Sequence, residues 1–490
     1  MTATLLETTK SLCPVCLRVL PAEIWERGDE VFLERLCPEH GPFSVVIWRG
    51  EPSFKAWKRP KKPLKVIPQT PKNEGCPWDC GLCPDHGQNP CTVLLELTTG
   101  CDLNCPICFA DSKGQGLFRP LEELLRALTW IKGVAGEVVI QLSGGEPTLH
   151  PGLLKLVALA AKLFPAVQLN TNGLKLAKDP KFAQDLGDAG LSWVFLQFDG
   201  VTDQVYEVLR GKPLLNLKRR AVTNCAAVGL PVVLVPTVVK GVNDQELGAI
   251  VDYARMTPII RGVHAQPLTQ TGRVHLSDPQ SRITLPEVIQ AFCRGGDGAI
   301  KPEGAFPPGC EHERCSFHLR FRRDESGKLT AKVPQTNDCG CGPMGCPPKT
   351  SKVPSPPAET DLNRTRAVDI IIQSWGGDKG GKSGPSDSKT IEPPLDVLSP
   401  DKTPSQPLKA LTIPMAKAPA QSLDAFLERA KRETFSLTGM AFQDRHNLDL
   451  ARLKGCCVHI YQEPAKLIPF CAMNLTAANG DSFYRKGPKR

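Results

Sequence analysis

The stretch TTGCDLNCPICFA, residues 98–110, sets Cys101, Cys105 and Cys108 on one short loop. Thiolates are metal ligands, and three of them are one fewer than a closed iron–sulfur cube takes from protein. A [4Fe–4S] cluster held by these three keeps one iron open to a small molecule. The alternatives are a structural zinc, or a closed cluster completed by a distant cysteine. The chain carries 20 Cys in 490 residues. No signal-peptide core is recognisable at the start, so a reducing cytoplasmic setting is expected, where metal ligation is a better use of thiols than disulfides.

The remaining cysteines also gather. Cys76, Cys80 and Cys83 repeat the CxxxCxxC spacing just upstream, with Cys91 available as a fourth ligand, which predicts an auxiliary [4Fe–4S] centre. Cys13, Cys16, Cys37 and His40 form a CxxC plus CxxH set, suited to zinc or to a mononuclear, rubredoxin-like iron. Cys310, Cys315, Cys339, Cys341 and Cys346 follow, and Cys456, Cys457 and Cys471 come last, so a second auxiliary cluster could draw on both groups. Cys225 and Cys293 lie in apolar helical stretches and read as core.

These ligands need a scaffold. Six apolar runs, VLLEL, VVIQLS, AVQLNT, WVFLQF, VVLVPTVV and IIRGVHAQPL, each precede a stretch of helical spacing between residues 93 and 295. That alternation predicts an α/β fold, a partial (β/α)6 TIM-like barrel with its site at the carboxyl ends of the strands. The organisation expected is a metal-binding unit over 1–60, an auxiliary cluster motif over 61–92 and the barrel over 93–300. A cysteine-rich region over 301–350, a Pro/Ser/Lys/Gly linker over 351–420 and a cysteine-bearing segment over 421–490 follow, the last opening with a helix in SLDAFLERAKRETFSLTGM.

The three-cysteine loop after a first strand resembles the radical S-adenosylmethionine (SAM) superfamily. LSGGEPTL (142–149), LNTNG (169–173) and LQFDG (196–200), each at a strand end, strengthen that resemblance. It implies that the open iron chelates S-adenosylmethionine and that reduction yields a 5′-deoxyadenosyl radical. It also implies that Gly144 and Gly145 admit the methionine moiety, that Glu146 accepts its ammonium, and that Asn170, Asn172, Gln197 and Asp199 reach the ribose. His264, Gln266 and Arg273 end the sixth strand and are candidates for substrate contact; Tyr461 and Tyr484 are candidate hydrogen-atom donors.

The amino-terminal CPVC/CPEHG unit, CPWDCGLCPDHGQNPC and the closing CC and IPFCAMN are similar to the subfamily containing archaeal tetraether lipid synthase and a related pterin-methylating protein. The resemblance implies carbon–carbon coupling of lipid alkyl chains, with pterin or other heterocycle methylation as the alternative and a non-catalytic electron carrier as the second. Coupling needs a long apolar tunnel; a pterin needs a short pocket with aromatic stacking and amide donors. A reductant such as ferredoxin or flavodoxin is implied. The net charge of +9 and the terminal YRKGPKR are compatible with peripheral docking at the inner face of a membrane. No stretch interleaves basic and aromatic residues as a nucleic-acid groove would, so no nucleic-acid partner is expected.

Overall fold

The computed structural model describes residues 3–59, 66–274, 278–332, 368–376 and 433–485. The amino-terminal unit is a four-stranded antiparallel ribbon, β1 (Ala3–Leu12), β2 (Val19–Arg27), β3 (Glu30–Cys37) and β4 (Gly41–Arg49). In β3, Val31, Leu33 and Leu36 do not share a face. Val31 and Leu33 are buried on one side, while Leu36 is exposed. Trp48 packs with Phe54 and Trp57 beneath the ribbon. Arg314 stacks over Phe54 at 3.8 Å and pairs with Glu7, fastening the unit to the rest of the chain.

All six expected strands form: β5 (Thr92–Glu96), β6 (Val139–Ser143), β7 (Ala166–Thr171), β8 (Trp193–Gln197), β9 (Val232–Val235) and, beyond the short β10 (Thr237–Val238), β11 (Ile260–Pro267). They run parallel in that spatial order. Helices pack on the outer face; α1 (Leu121–Ala135) buries Leu124, Leu128 and Ile131 at helical spacing, and α2 (Leu153–Leu163) buries Leu153, Leu156 and Val157. The outward strand residues, such as Val194, Leu196, Val232 and Leu234, join them in one apolar core.

The sheet extends further than the six predicted strands, and the carboxyl-terminal segment supplies the difference. Residues 434–440 were expected to be helical. They form β14 (Thr434–Met440), which pairs parallel with β11 through Gly262–Ala265. That ladder, together with the antiparallel β12 (Ser316–Arg323), overrides the local helical spacing. At the other edge β15 (Val458–Gln462) pairs parallel with β5 and antiparallel with β16 (Lys466–Pro469). The parallel run is therefore eight strands long, flanked by the antiparallel β12 and β13 (Leu329–Ala331) at one edge and by β16 at the other.

Residues 368–375, inside the expected linker, are helical. Val368 and Trp375 are buried against Val139, Ala166, Trp193 and Val233, at the amino ends of the central strands. The apolar content of VDIIIQSW is local, and the Pro/Ser/Gly composition around it obscures it. The expected cysteines 339, 341 and 346, the remainder of the linker and the last five residues of the basic tail lie outside the described residues.

Candidate active site

Strand alternation turns one residue in two inward, and the inward set lines a cavity of about 320 Å³ inside the partial barrel. Its wall carries Gln141 and Ser143 from β6, Asn170 from β7, Phe195 and Gln197 from β8, His264 and Gln266 from β11, and Thr438 from β14. Cys101, Cys105 and Cys108 stand at the carboxyl end of this space. Cys91, just before β5, stands at the other, five extended residues or roughly 17 Å from the end of that strand.

The carboxyl-end loop is pinned on several sides. Asn172 donates through Nδ2 to Asp102 (2.7 Å), Arg210 donates to the Ile107 carbonyl (3.1 Å), and the Arg273 amide donates to the Cys108 carbonyl (3.0 Å). Burial lifts the Cys101 thiol to about 12, so its thiolate is favoured only when a cation takes the place of the proton. Three thiols on one immobilised loop, facing the cavity, are a donor set that fits an iron–sulfur cluster with an open corner.

The GGE segment serves this loop as well as the cavity. The Gly145 amide donates to the Thr98 carbonyl and the Glu146 amide to the Gly100 carbonyl, both at 2.8 Å. A Cβ at Gly144 or Gly145 would strike the backbone of Thr98 or Gly100, and Gly144 has φ 124°. The glycines thus let two loops meet, a role beyond the expected approach to a ligand. Glu146 Oε1 accepts from the Thr148 amide and hydroxyl and from the Thr171 hydroxyl, while Oε2 accepts from the Asn172 amide. Oε2 therefore retains acceptor capacity for one more donor.

Of the seven residues assigned to the cofactor from sequence, Gly144, Gly145, Glu146, Asn170, Asn172 and Gln197 line the cavity. Asp199 is not among the lining residues. Its side chain is fully buried in a bidentate pair with Arg210, at 2.6 and 2.7 Å, and accepts from the Thr237 amide. A carboxylate so occupied cannot also reach a ribose; it positions Arg210, which holds the cluster loop. Lys218, also fully buried, donates to the Asn172 carbonyl and to Gln197 Oε1, and burial lowers its pKa to about 8 despite the nearby Asp199. Sequence reasoning missed both cations because they sit in ordinary helix patterns.

At the amino ends of the strands the thiols regroup. Cys91 does not complete the Cys76, Cys80 and Cys83 set. It meets Cys310 and Cys457, all three buried with Sγ atoms within 4.8 Å of one another, and Cys91 and Cys457 are 3.1 Å apart. Hydrogen bonds from Cys310 and Cys457 hold Cys91 down at about 5. The adjacent Cys456 turns elsewhere, its thiol donating to the Val458 carbonyl. Arg452 donates to Cys315 (3.6 Å), and Cys471 accepts from the Gln443 amide. Cys76, Cys80 and Cys83 line a small pocket with Lys454 and Pro469, and the Tyr484 hydroxyl ties their loop to the carboxyl-terminal segment through Pro77, Trp78 and Cys80.

The amino-terminal set assembles as expected: Cys13, Cys16, Cys37 and His40 present ligand atoms within 4.8 Å of one another. Cys225 is buried in the core and Cys293 packs partly buried against it. His264 and Gln266 face the cavity, whereas Arg273 lies on the rim, donating to Ser112 and Asp111. Tyr461 packs on Trp130, on the helix-covered face of the sheet, and Tyr484 is engaged with the Cys80 loop, so neither tyrosine lines the cavity. Two wall residues that sequence reasoning did not name are Phe195 and Trp375. Phe195 could have been found by alternation from Gln197. With His264 they form an aromatic trio, centroids 5.2–5.7 Å apart.

Two family matches agree with this geometry. Residues 95–254 match the family described as the Radical SAM superfamily, and residues 5–49 match the HMPTM N-terminal zinc ribbon domain. The chain is 33% identical over 482 residues to the 7,8-dihydro-6-hydroxymethylpterin dimethyltransferase of Methanocaldococcus jannaschii, covering 95% of this chain and 93% of that one. A probable GTP 3′,8-cyclase of Methanothermobacter thermautotrophicus is 28% identical, over 35% of this chain and 55% of its own. Among solved structures, Streptococcus suis SuiB is 15% identical, covering 42% of this chain and 45% of that chain at a TM-score of 0.35. No helix among the described residues is long and apolar enough to cross a membrane. With the three-cysteine loop, the GGE segment and the strand order in place, the chain belongs to the radical SAM superfamily and to the family of the Methanocaldococcus jannaschii pterin dimethyltransferase.

Proposed function

We propose that this chain is a radical SAM methyltransferase acting on a reduced pterin. The observation that carries the reading is the aromatic wall of the cavity. Phe195, His264 and Trp375 offer aromatic faces on a wall that also carries the amides of Gln141 and Gln266. Such a wall suits a flat heterocycle with many donors and acceptors. Lipid-chain coupling, the first expectation from sequence, requires an apolar tunnel, and wall groups such as Gln266 and the Glu311 carboxylate would find no partner among alkyl chains. The name of the 33% identical relative also favours the pterin alternative.

In this reading Cys101, Cys105 and Cys108 hold the cluster, and Glu146, Asn170, Asn172 and Gln197 orient S-adenosylmethionine beside it. When bound and reduced, that cofactor pair supplies a radical able to take hydrogen from unactivated carbon. The protein's part is to hold the loop rigid through Asn172 and Arg210, to stack the pterin and to exclude water. Cys91, Cys310 and Cys457 hold an auxiliary centre, Cys76, Cys80 and Cys83 another, and Cys13, Cys16, Cys37 and His40 a zinc. Cys315, Cys456 and Cys471 add thiols beside them. Electrons come from a small reductant such as ferredoxin or flavodoxin.

The test is anaerobic turnover with dithionite, S-adenosylmethionine and deuterated 6-hydroxymethyl-7,8-dihydropterin. The expected result is 5′-deoxyadenosine that has gained deuterium. Label arriving instead from terminally deuterated alkyl chains, with none from the pterin, would return the assignment to lipid coupling.

A further inference from the structure

We propose that Glu311 selects the substrate by reading the 2-amino-4-oxopyrimidine edge of the pterin, an inference that rests on the pterin reading above. Glu311 follows Cys310 and lines the cavity at its auxiliary end, 8% exposed. Its Oε1 accepts from the Ser316 hydroxyl, which fixes the carboxylate's orientation. Its Oε2 faces the Cys457 sulfur at 3.6 Å, a weak donor as a thiol and no donor once it ligates a metal. Among the described residues these are its side-chain partners, and no ion pair joins them.

A buried carboxylate without a cation is costly unless strong donors reach it. The other carboxylate on the cavity wall, Glu146, already accepts from four donors at the opposite end. Glu311 has two oxygens and capacity to spare. The missing partner should bring two adjacent N–H groups, and the pyrimidinone edge of a pterin does so: ring N3–H and the exocyclic 2-amino group point the same way. A carboxylate matches such a pair with two parallel charge-assisted hydrogen bonds. Alkyl chains carry no such donors, and an adenine edge alternates donor and acceptor.

Placement agrees. Phe195 and Trp375 belong to the same packed cluster as Cys91, Cys310 and Cys457, so the stacking faces and the carboxylate occupy one end of the cavity. A pterin bound there would present its pyrimidine ring to Glu311 and its reduced ring toward the Cys101–Cys108 loop. Ser316 is a positioning residue in this arrangement.

The experiment compares equilibrium binding of 6-hydroxymethyl-7,8-dihydropterin and its 2-deamino analogue to the anaerobic holoprotein, with iron content measured alongside. The native protein should prefer the pterin by about tenfold or more, the worth of one hydrogen bond to a charged group. Glu311→Gln should weaken pterin binding until the two ligands differ by less than about threefold, with a smaller loss for the analogue, which makes only the N3–H bond, and with iron content unchanged. If Glu311→Gln does not fold, Ser316→Ala should still narrow the preference measurably. A native protein that binds both ligands equally overturns the proposal while leaving the pterin reading standing. Binding of neither overturns both. Iron loss in Glu311→Gln would make Glu311 a metal ligand and also overturn the proposal, as would a preference that survives either substitution.

Discussion

The two thiol triads at the ends of the cavity are built in opposite ways. Cys101, Cys105 and Cys108 occupy one short loop whose shape is set by neighbours in sequence and three tethers. Cys91, Cys310 and Cys457 come from three distant points of the chain and meet only because β15 pairs with β5 and the chain before β12 folds beneath them. The first can be altered without disturbing the sheet. The second reports on whether the carboxyl-terminal segment has docked at all.

The largest expected effect separates the two ends chemically. Cys105→Ala leaves two thiolates on the loop, too few to retain the open cluster, and should reduce 5′-deoxyadenosine formation to background. Cys457→Ala should leave that cleavage in place and abolish methylated pterin, because its centre is auxiliary. Quantifying both products from each variant checks the pair. Equal loss of both activities in Cys457→Ala would mean that the distant triad supports the fold of the whole cavity, and the contrast between the ends would fail.

A second substitution probes what holds the local loop. Asp199→Asn leaves Arg210 buried without its partner, and breaking a buried pair in this way costs about 3–5 kcal/mol. Since Arg210 also donates to Ile107, the cluster loop should loosen before the sheet does. The expected outcome is a lower denaturation midpoint together with faster loss of iron to a chelator. The Cys91–Cys310–Cys457 end should retain its iron over the same period, and simultaneous loss from both ends would show that the tether is global.

The same contrast explains what was legible in the sequence. The loop ligands could be read because CxxxCxxC is a spacing within one element, and the six core strands because buried parallel strands are apolar runs. The pairing of Cys91 could not, since it lies eight residues downstream of Cys83 and so looks a nearer partner to that set than to Cys310 or Cys457. β14 was misread because TFSLTGM follows a helix-like stretch, and only the ladder to β11 makes it a strand. Asp199 looked like a ribose ligand because its position at a strand end fits; its partner Arg210 is supplied by the following helix and is invisible to strand-end reasoning. Trp375 was hidden in a composition that argued for a linker.

Between the two ends stands His264, and its protonation gives the smallest effect. Burial, with a lesser contribution from His318, lowers its pKa to about 3, so the folded protein keeps it neutral where the unfolded chain, near 6.5, would take a proton. The unfolded state therefore binds more protons below pH 6.5, and this residue's contribution to stability falls as pH drops from there toward 3. The slope is about 1.4 kcal/mol per pH unit, or about 2 kcal/mol between pH 6.5 and 5. His264→Gln removes the titration while an amide can still meet the Thr438 hydroxyl, which now lies 2.8 Å from Nδ1. Anaerobic denaturation at pH 7 and pH 5 should show the variant gaining on the native protein by that amount as the pH falls. A gap that stays constant would mean that His264 is protonated in the fold and that the middle of the cavity is more polar than its aromatic walls imply.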